Sequence, residues 1–146
     1  MKSQDAGNGG SNQGSADGAA LPSARAFVPL VHVANLPRAI DFYAVFGFRL
    51  GDVHHEPGSG EDPVWAWLES PGGAQFMLVK ADAPIDDTVQ GVLFYIYCDD
   101  VAAMRECVLA AGVQAGEMAY PFYRPKGEFR VSDPDGYVLM ITHHDD

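Results

Sequence analysis

The side chains able to do chemistry are few, and most of the usual combinations are missing. His32 titrates near neutrality and could act as a general base, or could simply pack and hydrogen-bond within a strand. His54 and His55 share a polar loop with Glu56, Glu61 and Asp62, a conceivable surface metal site whose spacing matches no established ligand pattern. His143 and His144 end the chain beside two aspartates, where solvation is expected. Cys98 and Cys107 are nine residues apart, which is neither a disulfide framework nor a zinc spacing. No Ser-His-Asp or Cys-His arrangement can be assembled, and no glycine-rich phosphate loop precedes a helix. What remains is a set of pairs two residues apart: Trp65 with Trp67, Tyr95 with Tyr97, and Glu128 with Arg130. On a strand, residues two apart share a face. Aromatic rings with a few polar groups beside them suit a planar or cationic small molecule, through stacking and cation–π contact. The same rings could instead fill a sheet or a dimer interface.

Composition bounds these options. A chain of 146 residues with 47% apolar content is one domain with a real core. No run reaches membrane-spanning length and the N-terminus lacks the apolar centre of a secretion signal, so a cytoplasmic protein is expected, with no membrane partner. The net charge of −11 argues against nucleic acid. Residues 1–26 carry two acids and two bases, so the excess acid lies in the remainder. That field could draw in a cationic ligand, or serve solubility alone.

Predicted strands and helices carry these side chains. Residues 1–26, rich in Gly, Ser, Asn, Gln and Ala, read as a disordered tail that cannot bury enough surface to offset its ordering entropy. Strands are predicted over 27–33, 48–53, 64–69 and 74–80, with a helix capped by Asn35, opened by Pro37 and ended by Gly47. A connector over 81–90 follows. Strands are then predicted over 92–98, 113–118, 128–132 and 137–142, with a helix capped by Asp99 or Asp100 and ended by Gly112. The two halves echo each other. Ser70-Pro71-Gly72-Gly73 before one strand matches Asp133-Pro134-Asp135-Gly136 before another, and Met77 matches Met140. The helix stops Gly47 and Gly112 are 65 residues apart, as are Val33 and Cys98, and Pro71 and Pro134 are 63 apart. Recurrence of strand, cap, helix and turn in one order indicates two copies of a βαβββ unit, over 27–80 and 91–143.

Three stretches carry a family likeness. The run Ala34-Asn35-Leu36-Pro37-Arg38-Ala39-Ile40-Asp41-Phe42-Tyr43, with Phe46-Gly47-Phe48 after it, resembles the first helix of the vicinal oxygen chelate superfamily. That superfamily includes glyoxalase I, the extradiol dioxygenases and the bleomycin-resistance proteins. Asp99-Asp100-Val101 with Ala110-Ala111-Gly112-Val113 resembles its second helix, and residues 127–136 resemble its last hairpin. The likeness spans about residues 27–143 of a domain taken as 27–146. It implies an α+β fold in which paired βαβββ modules form a curved mixed sheet around a cleft, usually in a homodimer.

Set on that fold, alternation turns Val28, Leu30, His32, Trp65, Trp67, Gln75, Met77 and Val79 toward the cleft, with Leu93, Tyr95, Tyr97, Glu128, Arg130, Val138, Met140 and Thr142. Metal-dependent members place His or Glu at four positions that correspond here to Val28, Leu93, Met77 and Met140. None of these suits a hard or borderline divalent ion, and paired thioethers are usually packing. The resemblance therefore implies no metal and no other cofactor. It points to a metal-independent protein of the bleomycin-resistance type that sequesters an aromatic or cationic compound, with no catalytic residue. Its ligand would meet His32, Trp65, Trp67, Gln75, Met77, Tyr95, Tyr97, Glu128, Arg130 and Met140. Two alternatives stand beside it: a metal-dependent lyase, isomerase or dioxygenase of the superfamily, and a structural dimer module whose cleft is closed by side chains.

Overall fold

The computed structural model describes residues 21–58 and 60–145. Most of the expected tail, residues 1–20, lies outside the described residues; 21–26 are exposed and outside any helix or strand. The order is β1 (Leu30–Val33), α1 (Leu36–Ala44), β2 (Arg49–His54), β3 (Trp65–Glu69), β4 (Gln75–Lys80), β5 (Phe94–Cys98), α2 (Val101–Ala110), β6 (Glu128–Ser132) and β7 (Val138–His143). This is the expected α+β architecture of two modules. They form two mixed sheets, β1-β4-β3-β2 and β5-β7-β6, in which only the β1·β4 and β5·β7 pairs are parallel. Among the described residues, no helix is long and apolar enough to cross a membrane.

The helices start and stop where local chemistry dictates. The Asn35 side chain accepts from Arg38 N–H at 2.9 Å, and the Asp100 side chain accepts from Ala103 N–H at 2.9 Å. Each therefore satisfies a first-turn donor that the helix itself cannot. Gly47 and Gly112 follow at φ +89° and +82°, a left-handed exit that a side chain would strain. Leu36, Ala39, Phe42 and Tyr43 are the buried face of α1, while α2 buries Val101 and Val108. Across the sheets, Val33, Ala66, Leu68, Leu78, Leu139 and Ile141 join them in one core shared by both modules.

One expected strand is absent. Residues 113–118 form no ladder; Gly116 N–H donates to Arg130 O at 2.8 Å, and a single bridge joins Ala119 to Glu128. The reason is a register mismatch. Between those contacts one segment advances three residues while β6 advances two, so one residue is surplus and pairing breaks. The first module carries the same irregularity, since Leu50 opposes Leu68 but Val53 opposes Ala66. There the ladder resumes on both sides of the bulge, which is why β2 survives as a strand.

The modules share no strand ladder, so side chains join them. Tyr43 on α1 donates its hydroxyl to Asp133 Oδ2 at 2.6 Å in a buried contact. The other Asp133 oxygen accepts from Asp135 N–H and Tyr137 N–H, both at 2.9 Å, which winds the Asp-Pro-Asp-Gly turn around one carboxylate. Ala34 N–H donates to Asp135 Oδ1 at 3.0 Å, and Tyr137 OH donates to His32 O at 2.9 Å. The bonds to Tyr43, Ala34 and His32 run from the turn after β6 to the stretch from β1 through α1.

Burial raises Asp133 above its ordinary value of 3.8, outweighing the hydrogen bonds from Tyr43, Tyr137 and Asp135 that lower it. The native chain thus binds this proton more tightly than the unfolded chain. Asp133 therefore makes stability fall as pH rises from 3.8 through the raised native value, and its cost is fully present above that window. Urea unfolding across this range should show that decline in the wild type and lose it in Asp133→Asn; parallel profiles would contradict the assignment. Tyr43→Phe should cost about 1–3 kcal/mol at neutral pH, because it leaves a buried carboxylate oxygen without its donor.

Candidate functional site

The ten expected ligand-binding residues fall on two sheet faces. On the four-stranded sheet, Trp67 stands opposite Met77 and Met77 opposite Leu30, while Trp65 stands opposite Val79 and Val79 opposite His32. Trp65, Trp67 and Met77 are half-buried and His32 is exposed, whereas the alternate residues Ala66, Leu68 and Leu78 are buried in the core. Gln75 ends this face and donates from Nε2 to Glu69 at 3.2 Å. On the three-stranded sheet, Tyr95, Met140 and Arg130 form one row, and Tyr97, Thr142 and Glu128 form the next. By register, five of the ten lie on one face of each sheet.

Exposure divides them further. Tyr95 and Tyr97 remain 42% and 45% exposed, with ring centroids 6.1 Å apart and planes 24° from parallel. Met140 and Glu128 are only 6% and 7% exposed. They form a closed floor beneath the face and do not line open space. Nor do the ten converge on one cavity. Gln75 and Tyr95 border a hollow between the modules, Tyr95 and Tyr97 border a groove with Pro71 and His144, and Arg130 borders a third with Gly116 and Ser132.

The densest polar cluster surrounds Tyr97, and much of it escaped the sequence. Arg124 lies 5.5 Å from the Tyr97 ring centroid and donates to the Tyr97 hydroxyl at 3.3 Å. It also pairs with Asp145 at 2.7 Å and donates to the Tyr123 carbonyl at 3.3 Å. Tyr123 in turn donates to Glu128 Oε1 at 3.5 Å. Two buried atoms in this cluster have no protein partner: Arg124 Nε, a donor, and Glu128 Oε2, an acceptor. The segment 120–127 reads as a featureless loop, and nothing local in it marks Arg124.

Of the terminal histidines, His144 is exposed as expected, stacking on Tyr97 with centroids 5.6 Å apart, whereas His143 is 4% exposed, against the expectation of solvation. His143 Nε2 accepts from Lys126 N–H at 3.2 Å, which leaves Nδ1 to donate to His144 O at 2.7 Å. The continued alternation of Leu139, Ile141 and His143 was the signal for this, because β7 runs one residue farther than predicted.

Burial raises the Cys98 thiol, and its Sγ donates to Thr142 O at 3.4 Å, so it is a poor nucleophile at neutral pH. His55 is held by a contact between Nε2 and Glu61 O at 3.1 Å. Among the described residues, no group of three or more His, Cys, Asp or Glu is placed to hold a metal ion. At the four positions where the family likeness implies ligands stand Val28, Met77, Leu93 and Met140, a set that does not fit one.

Residues 27–141 match the family described as the Glyoxalase/Bleomycin resistance protein/Dioxygenase superfamily. No curated protein matches the sequence. Among solved structures, a bleomycin resistance determinant encoded on the transposon Tn5 superposes with a TM-score of 0.64 at 14% identity, over 84% of this chain and 100% of that one. A bleomycin-binding protein complexed with bleomycin gives 0.63 at 15% identity, again over 84% and 100%. TnmS3, an antibiotic-binding protein from Streptomyces sp. CB03234, gives 0.58 at 27% identity, over 85% and 100%.

Arg124→Ala should loosen segment 120–127 without unfolding the chain. The amides of Arg124 and Gly127, which donate to Pro121 O and Arg124 O, should exchange about tenfold faster, as a local loss of roughly 1.4 kcal/mol from the ion pair and cation–π contact requires. Hydrogen exchange resolved by mass spectrometry checks this, with unchanged exchange in α1 as the control.

Proposed function

The chain belongs to the Glyoxalase/Bleomycin resistance protein/Dioxygenase superfamily, and from that premise we propose that it is a metal-independent binding protein that sequesters an aromatic or cationic small molecule. The observation that carries this reading is the open, stacked Tyr95–Tyr97 pair. Stacked phenol rings offer a face to a planar or cationic group. Trp65 and Trp67 offer a second aromatic face on the other sheet, with His32, Gln75 and Met77 around them. Arg130 and Arg124 supply donors to any acceptor on the ligand. The net charge of −11 raises the local concentration of cations.

Two structurally similar proteins support the class. One is complexed with bleomycin, and the 27% identical TnmS3 is described as antibiotic-binding. The reading includes a homodimer, in which the partner's opposite module closes each cleft. The exposed Leu30, Tyr120 and Phe122 give such a partner apolar surface to cover. Thioether and hydrocarbon at Met77, Met140, Val28 and Leu93 support binding without a metal.

Calorimetric titration against a panel of aromatic and cationic antibiotics tests the proposal. At least one compound should bind and shift the tryptophan fluorescence. Chelator treatment should leave that affinity unchanged, and Trp67→Ala should weaken it about tenfold, the scale of one lost aromatic contact of roughly 0.5–1.5 kcal/mol. Stoichiometric zinc, nickel, manganese or iron in untagged protein, with binding abolished by its removal, would overturn the reading.

A further inference from the structure

A half-open hollow of about 140 Å³ lies between the two modules. Its walls are Val31 and Phe76 from the first sheet, Phe48 after α1, and Phe94, Ile96 and Leu139 from the second sheet. Exposed Ala74, Gln75 and Tyr95 form the rim, so the hollow has an entrance.

Three features decide what could enter. Size comes first: the hollow matches the apolar spaces of about 150 Å³ that accept benzene or xenon. Polarity comes second. The hydroxyl of Tyr43, whose ring also borders the hollow, is already committed to Asp133 at 2.6 Å. The buried polar atoms left without a partner among the described residues belong to Arg124, Glu128 and Asp135, none of which lines this space. Water gains little there, and a charged group would find no counter-charge. Shape comes third. Tyr43, Phe48 and Phe76 form an edge-on triad, with centroids 4.8 Å apart for Tyr43 and Phe76 and 4.9 Å for Phe48 and Phe76. A further ring can join such a set through an edge or a face.

The hollow also has a reason to persist. Its walls come from different modules, whose separation is set by the bonds from the Asp133–Tyr137 turn to Tyr43, Ala34 and His32. Drawing the walls together would break those bonds.

We propose that this inter-module cavity is a second binding site, for a small uncharged apolar molecule about the size of one aromatic ring. It shares Gln75 and Tyr95 at its rim with the open faces, while its walls are residues that the open-face reading does not use.

Benzene, titrated into the full chain, is the probe. The melting temperature should rise with added benzene and saturate, as mass action at one site per chain requires. Ala74→Leu at the rim and Ile96→Phe in the wall should each weaken benzene binding at least tenfold; whichever variant still melts cooperatively serves as the test. Phe94→Ala should admit naphthalene, which the wild type refuses. Trp67→Ala should leave benzene binding unchanged, so failure on the open faces and failure here read out separately. Absence of a melting shift, a shift that never saturates, or equal benzene affinity in cooperative Ala74→Leu and Ile96→Phe variants would overturn the proposal. So would a cavity closed to benzene because a second copy of the chain covers its rim.

Discussion

One buried carboxylate holds the two halves of this protein together. Asp133 accepts from the Tyr43 hydroxyl on one oxygen and from two backbone N–H groups of its own turn on the other. Taking a carboxylate out of water is costly unless such donors replace the lost solvent. The turn must therefore close tightly, and Tyr43 must reach across from α1. The two sheets share no ladder, so their relative placement depends on this bond and its neighbours to Ala34 and His32. Burial still raises the carboxyl, so the arrangement trades some stability at neutral pH for a fixed seam.

That seam governs the surfaces on either side. It sets two sheets edge to edge with their apolar faces on a shared core. The opposite faces are left to carry Trp65, Trp67, Tyr95 and Tyr97. Segment 120–127 then folds against the second sheet. Tyr123 reaches Glu128, Arg124 reaches Tyr97, and Thr142 Oγ1 donates to Gly127 O at 3.0 Å. The result is an aromatic surface above a carboxylate whose second oxygen has no partner in the protein. Such a surface presents stacked rings to the solvent beside the 120–127 segment.

The repeated bulge shows how two copies of one plan diverge. Both modules place three residues against two at the same point. A Cβ at Gly51 would stand 3.1 Å from Trp67 Cδ1, and one at Gly116 would stand 3.4 Å from Arg130 O. Each glycine thus lets its segment cross close over a neighbour on the adjacent strand. Only the first copy recovers pairing beyond the bulge, so the second module has a three-stranded sheet and an open groove beside Arg130.

Much of this was legible in the chain because it is local. Asn35 and Asp100 cap helices through bonds three residues long, and Gly47 and Gly112 end them through a backbone angle. Alternation assigned the faces of Trp65, Trp67, Tyr95 and Tyr97 because the pleat has period two. The spacing of these signals revealed the two modules and their family likeness. What tertiary structure alone decided is contact between distant residues: Tyr43 with Asp133, Arg124 with Tyr97, and Lys126 with His143. It also decided that Glu128 and Met140 are buried while Tyr95 and Tyr97 stay open. No periodicity encodes these outcomes, because the burial of a side chain depends on what the rest of the chain lays across it.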